Sequence, residues 1–490
     1  MLFNTIDFII FFALILTTII IYKNRNFQYF FLIIASYVFF YYSNNFLITL
    51  IIFSTILDFY IAKKIYESRD ITYKKKLLAI SIVGNLGLLA FFKYTNFAIS
   101  QFNNLFEIFG FEKIQFLEII LPIGISFYTF QILSYTIDVY RGNLSPSKSF
   151  KEFALFVVFF PQLVAGPILR ASHFLPQLRE KFSPNWKSTE LKHALVKNSN
   201  LKIGITLMAF GFFKKMFFAD NIAPFVDQIF QNPIGHESYV IILGAIGFGI
   251  QLYCDFSGYS DIAIGIALIL GFQIPKNFNF PFFANSPAEF WRRWHISLSN
   301  WVRDYVFFPL VIGKKNSIFR IVSSIFVTMF LIGIWHGAGI NFIIYGLIHG
   351  IYVGTETFFK SKFPSLKNKA LFKSLPVKIF SILFTQYLIF LSFLSFRIQD
   401  LDHLTYSMNK FVFFDFNFNG FNEFLLDNKL GIFLIILFII IHIIAFKRKN
   451  ILEIISNLKL RYWTIFLISL MVLILFFFDS NPRDFIYFRF

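Results

Sequence analysis

Residues 318–356 read IFRIVSSIFVTMFLIGIWHGAGINFIIYGLIHGIYVGTE, two apolar runs that meet near His336. Each run, 318–334 and 338–356, is about the length that an α-helix needs to cross the hydrocarbon core of a bilayer. A chain inside lipid must satisfy its backbone hydrogen bonds internally, which a helix does within a single segment. This stretch therefore predicts two transmembrane helices with a histidine at their junction.

The whole chain has the composition of a membrane protein. Of its 490 residues, 57% are hydrophobic and 15% are charged, whereas soluble proteins have about 45–50% and about 25%. The net charge of +18 lies in short clusters between apolar runs, which is typical of cytoplasmic loops near anionic lipid and not of a nucleic-acid-binding face. The single cysteine, Cys254, excludes an intrachain disulfide framework and gives no zinc signature. We therefore expect lipid as the main solvent, no nucleic-acid partner and no metal.

Further apolar runs of similar length lie along the rest of the chain. They are 6–22, 27–43, 45–62, 77–93, 118–138, 203–219, 239–271, 377–396, 430–446 and 462–478. With the first two runs they predict an all-α polytopic membrane protein with roughly 11–12 transmembrane helices. The first run is expected to be retained, because no basic residue precedes it and no small-residue cleavage pattern follows it.

The loops between the runs alternate in charge, which predicts the orientation of the chain. Clusters of Lys and Arg follow every second run, whereas 400–427 is biased towards acidic residues. Positively charged loops stay on the cytoplasmic side of a membrane. We therefore expect a multi-pass protein of the cytoplasmic (inner) membrane, with its N-terminus and the C-terminal segment 479–490 both outside.

Two segments do not fit simple transmembrane helices. The run 152–169 has basic residues on both sides and is broken by two prolines, which favours a re-entrant hairpin that lines a substrate path. The run 239–271 is too long for one straight span and carries two aspartates in its middle, Asp255 and Asp261. We expect a break or kink at these aspartates.

Ionisable residues at membrane depth are costly, and they are functional candidates for that reason. His336 lies among glycines and could accept a proton near neutral pH, or it could be a structural histidine bonded to a carbonyl group. His349 and His442 have weaker claims, and for His442 the structural interpretation is favoured. Asp255 and Asp261 could stabilise a helix break, pair with a buried cation or bind a coupling ion.

A third group of candidates lies in the basic segment 276–317. After Pro287, aromatic residues recur on one helical face with charged residues between them, which predicts an amphipathic helix at the cytoplasmic interface. Its arginines could also bind the phosphates of an acyl donor. From periodicity alone, the interfacial anchor is the favoured interpretation.

Several motifs together resemble the membrane-bound O-acyltransferase family, in particular its bacterial branch of alginate O-acetylase membrane subunits and D-alanyl transfer proteins. They are 161–167 (PQLVAGP), 255–261 (DFSGYSD), 290–295 (FWRRWH), 335–337 (WHG), Asn341 and 345–350 (YGLIHG). The resemblance runs in order from near residue 80 to the end of the chain. It implies a ring of helices around a thin centre, where a cytoplasmic mouth and an outer funnel meet, with the re-entrant and interfacial segments beside it.

The resemblance also implies site residues. His336 would be the catalytic residue, and His295 a second important histidine. The residues expected to bind the donor or line its tunnel are Arg292, Arg293, Trp294, Arg303, Asp255, Asp261 and His349. The domain division would be 1–80 for N-terminal transmembrane helices, 81–450 for the catalytic core and 451–490 for an extra helix with an external tail.

The tail 485–490 (FIYFRF) resembles the terminal motif of alginate O-acetylase-like proteins. It also resembles the end of a one-span peptide that accompanies D-alanyl transfer proteins, whose tyrosine is thought to carry the acyl group. The resemblance thus makes Tyr487 a possible acyl relay. The additional last span, 462–478, and the chain length favour the O-acetylase type.

The expected function is transfer of an acyl group, preferably acetyl, across the membrane for O-acetylation of an extracytoplasmic polysaccharide such as alginate. The donor would be a thioester, acetyl-CoA or an acyl carrier protein, with no bound cofactor. The partner would be a periplasmic SGNH-type acetyltransferase. Peptidoglycan O-acetylation and teichoic-acid D-alanylation remain alternatives. A secondary transporter is a distant one, because such proteins usually contain paired repeats, which this sequence does not show.

Overall fold

The computed structural model describes all residues except 2, 183–197, 314–316, 365–373, 479–482 and 487–490. The chain divides into two compact units. The first consists of Met1–Met208 and Ser260–Pro275, and the second of Ala209–Tyr259 and Lys276–Phe490. All regular structure within the described residues is helical. The predicted all-α class is confirmed.

The helices before the basic segment 276–317 are α1 (Ile6–Ile21), α2 (Arg25–Asn44), α3 (Ile48–Glu67), α4 (Ile71–Phe109), α5 (Ile125–Tyr140), α6 (Phe150–Val158), α7 (Ala171–Lys181), α8 (Asn198–Phe212), α9 (Asp220–Gln231) and α10 (Ser238–Ile269). The later ones are α11 (Pro287–Arg293), α12 (Ile296–Val302), α13 (Phe308–Val311), α14 (Ile318–His336), α15 (Ile340–Lys362), α16 (Leu375–Arg397), α17 (Leu401–Val412), α18 (Phe421–Asp427), α19 (Lys429–Lys447), α20 (Ile451–Ser456) and α21 (Leu460–Phe476).

Seven helical stretches of the described chain are long and apolar enough to cross a membrane, fewer than the 11–12 expected. Arg25–Glu67 counts once because a short 3₁₀ segment joins α2 to α3. The helix α5 has only 16 residues, and the run predicted at 203–219 continues into a π-helical segment, Phe213–Ala219. The helices α1 and α21 are apolar but shorter than the other seven. The fold class is therefore as predicted, while several spans are longer, shorter or less regular than the sequence suggested.

Local sequence signals set the ends of these helices. The Asp70 side chain accepts a hydrogen bond from the amide of Thr72 at the start of α4, and Gly110 ends that helix with φ +70°. The Ser317 side chain accepts from the amide of Arg320 at the start of α14. A polar N-cap satisfies an orphan amide, and glycine adopts the left-handed conformation at a helix end without strain.

A buried carboxylate organises the first unit. Asp58 on α3 is fully buried and accepts hydrogen bonds from Ser81 and Asn85 on α4 and from Thr136 on α5. A polar group away from water is tolerated only when its atoms have hydrogen-bond partners. Asp58 therefore joins three helices through its two oxygens.

The helix carrying the run 152–169 is interrupted where its prolines predict. The helix α6 ends at Val158, turns follow through Gly166, and α7 begins at Ala171. All side chains of 152–169 are buried. A Cβ atom at Gly166 would lie 2.4 Å from the Cα atom of Gln162, so only glycine permits this tight path. The break is observed, whereas re-entry into a membrane stays a prediction.

The helix α10 runs without interruption from Ser238 to Ile269, so the break predicted at 255–261 is wrong. The buried polar groups are satisfied across helices instead: Asp255 pairs with Lys215. A Cβ atom at Gly258 would lie 2.7 Å from the carbonyl oxygen of Gly211, so glycine permits close packing there. The irregular backbone lies in the partner segment Phe213–Ala219, which is π-helical.

The two helices quoted first, α14 and α15, form a closely packed hairpin in the second unit. A Cβ atom at Gly333 would lie 2.4 Å from the carbonyl oxygen of Phe342, and one at Gly346 would lie 2.7 Å from that of Met329. In lipid, burying apolar side chains between helices gives little free energy, because the lipid tails are equally apolar. Small residues stabilise helix pairs there by letting the two backbones approach closely. This hairpin holds His336 at its turn.

Candidate functional site

The predicted amphipathic helix of the basic segment consists of two short helices with a sharp turn between them. The helix α11 begins after Ser286, whose side chain accepts from the amide of Glu289, and ends at Arg293. Trp294 is extended, and His295 lies in the left-handed region with φ 42° and ψ 53°. A residue other than glycine is uncommon there and is held by its surroundings. The contacts around His295 therefore hold it in this turn.

Asn277 holds this turn from the opposite side. Its carbonyl oxygen accepts a hydrogen bond from the amide of Ile296 at 2.9 Å, and its Oδ1 accepts from the amide and the hydroxyl of Ser297 at 3.2 and 2.6 Å. Asn277 is itself buried. Three hydrogen bonds to Asn277, one to its backbone carbonyl and two to its side chain, thus fix the backbone that follows His295.

His295 lies in an aromatic pocket and has no solvent exposure. The ring of Phe256 lies 4.7 Å from its ring, and the ring of Trp335 lies 5.7 Å away. Burial lowers the pKa of His295 to about 3, because the charged form loses its hydration. The imidazole is therefore neutral at physiological pH and can either accept or donate a hydrogen bond.

His336 is the last residue of α14 and is 3% exposed. Its ring contacts those of Trp335 at 5.1 Å, Phe396 at 5.0 Å and Tyr345 at 5.8 Å, and it lies 6.4 Å from the ring of His295. The carboxyl end of a helix carries partial negative charge, which stabilises a positive charge that develops there. The two predicted histidines thus share one aromatic pocket, where an imidazole could take a proton from a hydroxyl group.

His349 has different surroundings from the two histidines above. Its Nδ1 accepts a hydrogen bond from Trp291 Nε1 at 3.2 Å, so its Nε2 carries the proton and donates to Ser392 Oγ at 3.0 Å. The Ser392 hydroxyl donates to the carbonyl oxygen of Ile389 at 2.7 Å. This series of hydrogen bonds joins α11, α15 and α16. Tyr345 lies against both His349, at 4.6 Å between rings, and His336.

The basic residues predicted to receive a donor differ in exposure. Arg292 and Arg303 are exposed, and Arg303 pairs with Asp304. Arg293 pairs with Glu289 at 2.7 Å and donates to the carbonyl oxygen of Asn279. Arg292 and Arg303 therefore remain accessible to a ligand, whereas Arg293 is bonded within the segment that forms the turn.

Trp294 is buried in the second unit, with 1% of its surface exposed. Its ring stacks on that of Phe290 at 5.3 Å and meets Phe278 edge-on at 5.0 Å. It therefore packs beneath the turn that carries His295.

The two aspartates of the 255–261 motif fall in different units. Asp261 lies in the first unit and is partly exposed. Asp255 lies in the second, where its Oδ1 accepts from Lys215 Nζ at 2.7 Å and its Oδ2 accepts from the amide of Ile486 at 2.8 Å. Asp255 thus contacts the C-terminal tail, and its neighbour Phe256 contacts His295.

The predicted relay, Tyr487, lies outside the described residues. The residues just before it are described: Phe485 and Ile486 are 1% and 7% exposed. The ring of Phe485 meets that of Tyr259 at 4.9 Å. This part of the tail is therefore packed within the second unit.

Ile486 also lines a cavity of about 300 Å³ in the second unit. The other lining residues are Asp227, Phe230, Phe248, Gln251, Arg397, Ile398, Gln399, Asp400 and His403. The ring of Phe248 lies 6.4 Å from that of Phe396, which in turn contacts His336. One wall residue of the cavity, Phe248, is therefore separated from His336 by a single aromatic ring, that of Phe396.

Sequence reasoning missed several residues of this site. Lys215, which the sequence analysis did not single out, is 1% exposed and contacts two carboxylates. Its position in a span, forty residues before Asp255, was the available signal. Asn277 and Phe396 gave no signal, because their roles depend on contacts between distant segments. No group of three His, Cys, Asp or Glu side chains that could hold a metal ion occurs in the described part of the chain.

Comparison with known proteins extends these observations. Residues 143–397 match the membrane-bound O-acyltransferase family. The chain is 42% identical over 284 residues to a probable alginate O-acetylase AlgI of Pseudomonas aeruginosa, across 58% of this chain and 51% of that protein. It is 36% identical over 323 residues to a peptidoglycan O-acetyltransferase of Helicobacter pylori, across 61% of this chain and 58% of that protein.

A more distant relative is a teichoic acid D-alanyltransferase of Bacillus subtilis. The identity is 32% over 246 residues, across 49% of this chain and 59% of that protein. The matched region thus spans only about half to three-fifths of these relatives' lengths. The family match includes α11, α14 and α15, which carry the histidine pocket.

Proposed function

Because the chain belongs to the membrane-bound O-acyltransferase family, we propose that it is an O-acyltransferase and that His336 is its catalytic base. The observation that carries the proposal is the shared pocket of His336 and His295, with rings 6.4 Å apart and almost no exposure to solvent. Two imidazoles shielded from bulk water suit transfer between a thioester and a hydroxyl, because competing hydrolysis is suppressed.

In the proposed reaction, His336 takes the proton of an acceptor hydroxyl while the oxygen of that hydroxyl attacks the thioester carbonyl carbon. A C–O bond forms and the C–S bond breaks, and the thiolate leaves with the proton that His336 has held. The products are an acyl ester and a free thiol, so no oxidant or further reactant is needed. His295 donates or accepts a hydrogen bond to the reacting group.

The donor in this proposal is acetyl-CoA or an acylated carrier protein, which approaches from the cytoplasm. Exposed Arg292 and Arg303 support this side, because both lie close in sequence to His295 and guanidinium groups pair well with phosphates. Arg293 and Trp294 stabilise the turn through their contacts with Glu289 and Phe290. No cofactor is required beyond the donor itself.

The acceptor approaches from the outer side, through the cavity lined by Ile486 and Arg397. Tyr487 directly follows Ile486, and its phenol is the proposed first acceptor, which later passes the acyl group onward. The final acceptor is an extracytoplasmic polysaccharide such as alginate, reached through a periplasmic SGNH-type acetyltransferase. This layout agrees with an inner-membrane protein whose C-terminus is outside.

Two other products remain open within the same chemistry. The likeness to a peptidoglycan O-acetyltransferase supports peptidoglycan as the polymer, and the weaker likeness to a teichoic acid D-alanyltransferase supports D-alanine as the acyl group. An acetyl group is preferred to D-alanine as the transferred group, because the sequence identity to the O-acetylating relatives is higher than the identity to the D-alanyltransferase.

The test is the ester content of cell-envelope polysaccharides in a strain lacking the gene, complemented with wild-type protein or with His336→Ala. We expect acetyl esters to return with wild-type protein only, at equal protein levels. The matched control is His442→Asn, a buried histidine on α19 surrounded by Phe283 and Phe438, which should restore acetylation. Full acetylation with His336→Ala would exclude the proposed base.

A further inference from the structure

The described end of the C-terminal tail is held in the second unit by charged side chains that the proposed chemistry does not use. Lys215 is 1% exposed and contacts three oxygens: Asp255 Oδ1 at 2.7 Å, Asp220 Oδ1 at 2.8 Å and the carbonyl oxygen of Asp484 at 3.2 Å. An ammonium group has three N–H donors, so one of the three is directed at the tail backbone.

Asp255 contacts the same stretch of tail two residues further on. Its Oδ1 is bonded to Lys215, and its Oδ2 accepts from the amide of Ile486 at 2.8 Å. The Lys215 ammonium also lies 4.7 Å from the centre of the Phe485 ring. The tail backbone is therefore bonded at a carbonyl and at an amide, on either side of a buried phenylalanine.

A second ion pair holds the start of this stretch. Arg483 on the tail pairs with Asp227 on α9, which also pairs with Arg397 at the end of α16. Without the tail, Asp227 would keep one of its two arginines. Lys215 would lose an acceptor, and Asp255 would lose a donor, both in a place that water barely reaches. Buried charged groups left without such bonds are costly.

We propose that Lys215, Asp255 and Asp227 form a clamp that holds residues 483–486, the segment directly before Tyr487. They are positioning residues, because they touch the tail and not the reacting atoms. The relay role of Tyr487 rests on the proposed function, whereas the clamp itself does not. The clamp also gives the DFSGYSD motif a purpose other than lining a donor path.

The experiment measures access to the tail directly. Cys254, the chain's single cysteine, is replaced by serine, and Ile486→Cys introduces a reporter thiol. Full-length protein in membranes is treated with a large poly(ethylene glycol) maleimide, which a cavity of about 300 Å³ cannot admit. The labelled fraction is followed over time by its shift on a gel. The clamp predicts slow labelling of the reporter in otherwise unchanged protein.

Variants of the clamp should raise the labelling rate in a defined order. Asp255→Ala loses both the ion pair and the tail bond, and should label about tenfold faster or more, because bonds to charged groups shift local opening by such factors. Asp255→Asn keeps an acceptor for the Ile486 amide and should be intermediate. Arg483→Ala leaves Asp227 paired with Arg397, so it should fold and still label faster. Arg483→Lys should restore slow labelling.

The control for general loosening is Asp58→Asn, which disturbs a buried carboxylate of the first unit. Its melting temperature should fall while the reporter thiol at position 486 stays protected. Equal labelling of Asp58→Asn and Asp255→Ala would overturn the clamp, and so would slow labelling in both Asp255→Ala and Arg483→Ala. A protected tail in wild-type protein that transfers no acyl group would instead contradict the proposed function and leave the clamp supported.

Discussion

The imidazole rings of His295 and His336 lie 6.4 Å apart, and the indole ring of Trp335 packs against both. One histidine lies in a left-handed turn of the basic segment, and the other ends a membrane helix. Neither position is near the other in sequence. The pocket they share makes several consequences measurable.

The first concerns the acyl relay. Replacing Tyr487 with Phe removes only the phenolic oxygen, so it should abolish acyl transfer while leaving the tail in place. The measurement is acetylation of the polymer in membranes, together with protection of the reporter thiol at position 486. Normal acetylation by Tyr487→Phe would exclude a covalent relay through that oxygen.

The second concerns pH. The pKa of His295 is lowered to about 3 by burial, against about 6.5 in an unfolded chain. The unfolded chain therefore binds more protons below pH 6.5, so the stability contributed by neutral His295 is complete above that pH and is lost as pH falls towards 3. At pH 5 the loss is about 2 kcal/mol, at about 1.4 kcal/mol per unit.

Thermal unfolding in detergent at pH 7.5 and pH 5 checks this value. His295→Phe cannot take up the proton and should lose less stability on acidification than wild-type protein. The ring of His336 lies 6.4 Å from that of His295, so the comparison is repeated in a His336→Ala background. Identical acid sensitivity of His295→Phe and wild-type protein would contradict a buried neutral His295.

The third concerns the bond between Trp291 and His349. Trp291→Phe leaves Nδ1 of His349 without its donor and should cost about 1–3 kcal/mol of unfolding free energy. The double variant Trp291→Phe with His349→Phe removes both partners, so it should cost less than the two single variants added together. Additive effects in the thermal-unfolding cycle would show that the 3.2 Å contact contributes no coupling.

The fourth concerns the hairpin that carries His336. Gly346→Ala would place a methyl group 2.7 Å from the carbonyl oxygen of Met329 and should force α14 and α15 apart, lowering both stability and activity. Gly87→Ala on α4 is the matched control, because nothing lies within 4 Å of its added Cβ. It should be neutral or stabilising by about 0.5–1 kcal/mol. Equal melting temperatures for the two variants would refute close packing at Gly346.

The sequence alone predicted the helical membrane class, the hairpin around His336 and the broken run at 152–169, because each follows from local hydropathy, glycine or proline. It did not predict that α10 stays continuous through Asp255. That outcome depends on Lys215, forty residues earlier, which satisfies the aspartate across helices. Long-range pairing of this kind leaves no periodic signal.

The residues of the candidate site also fall into two groups, those that a sequence pattern indicated and those that depend on long-range contacts. His336 was identifiable because an ionisable residue among glycines in an apolar stretch is unusual. The importance of His295 was implied only by family resemblance, and its closeness to His336 was not predicted. The turn that places it depends on Asn277, and no local pattern indicates that contact. The tail contact at Ile486 was likewise not predictable from spacing.

The most direct test of His336 as catalytic base uses purified full-length protein with acetyl-CoA, measuring free CoA thiol and acetyl ester formed on the protein. Wild-type protein should release thiol and gain ester in equal amounts. His336→Ala should lose at least about 10²-fold in rate, the lower range for general-base catalysis, when assayed at a temperature well below its own melting temperature. Thiol release and ester formation by His336→Ala at the wild-type rate would contradict the account.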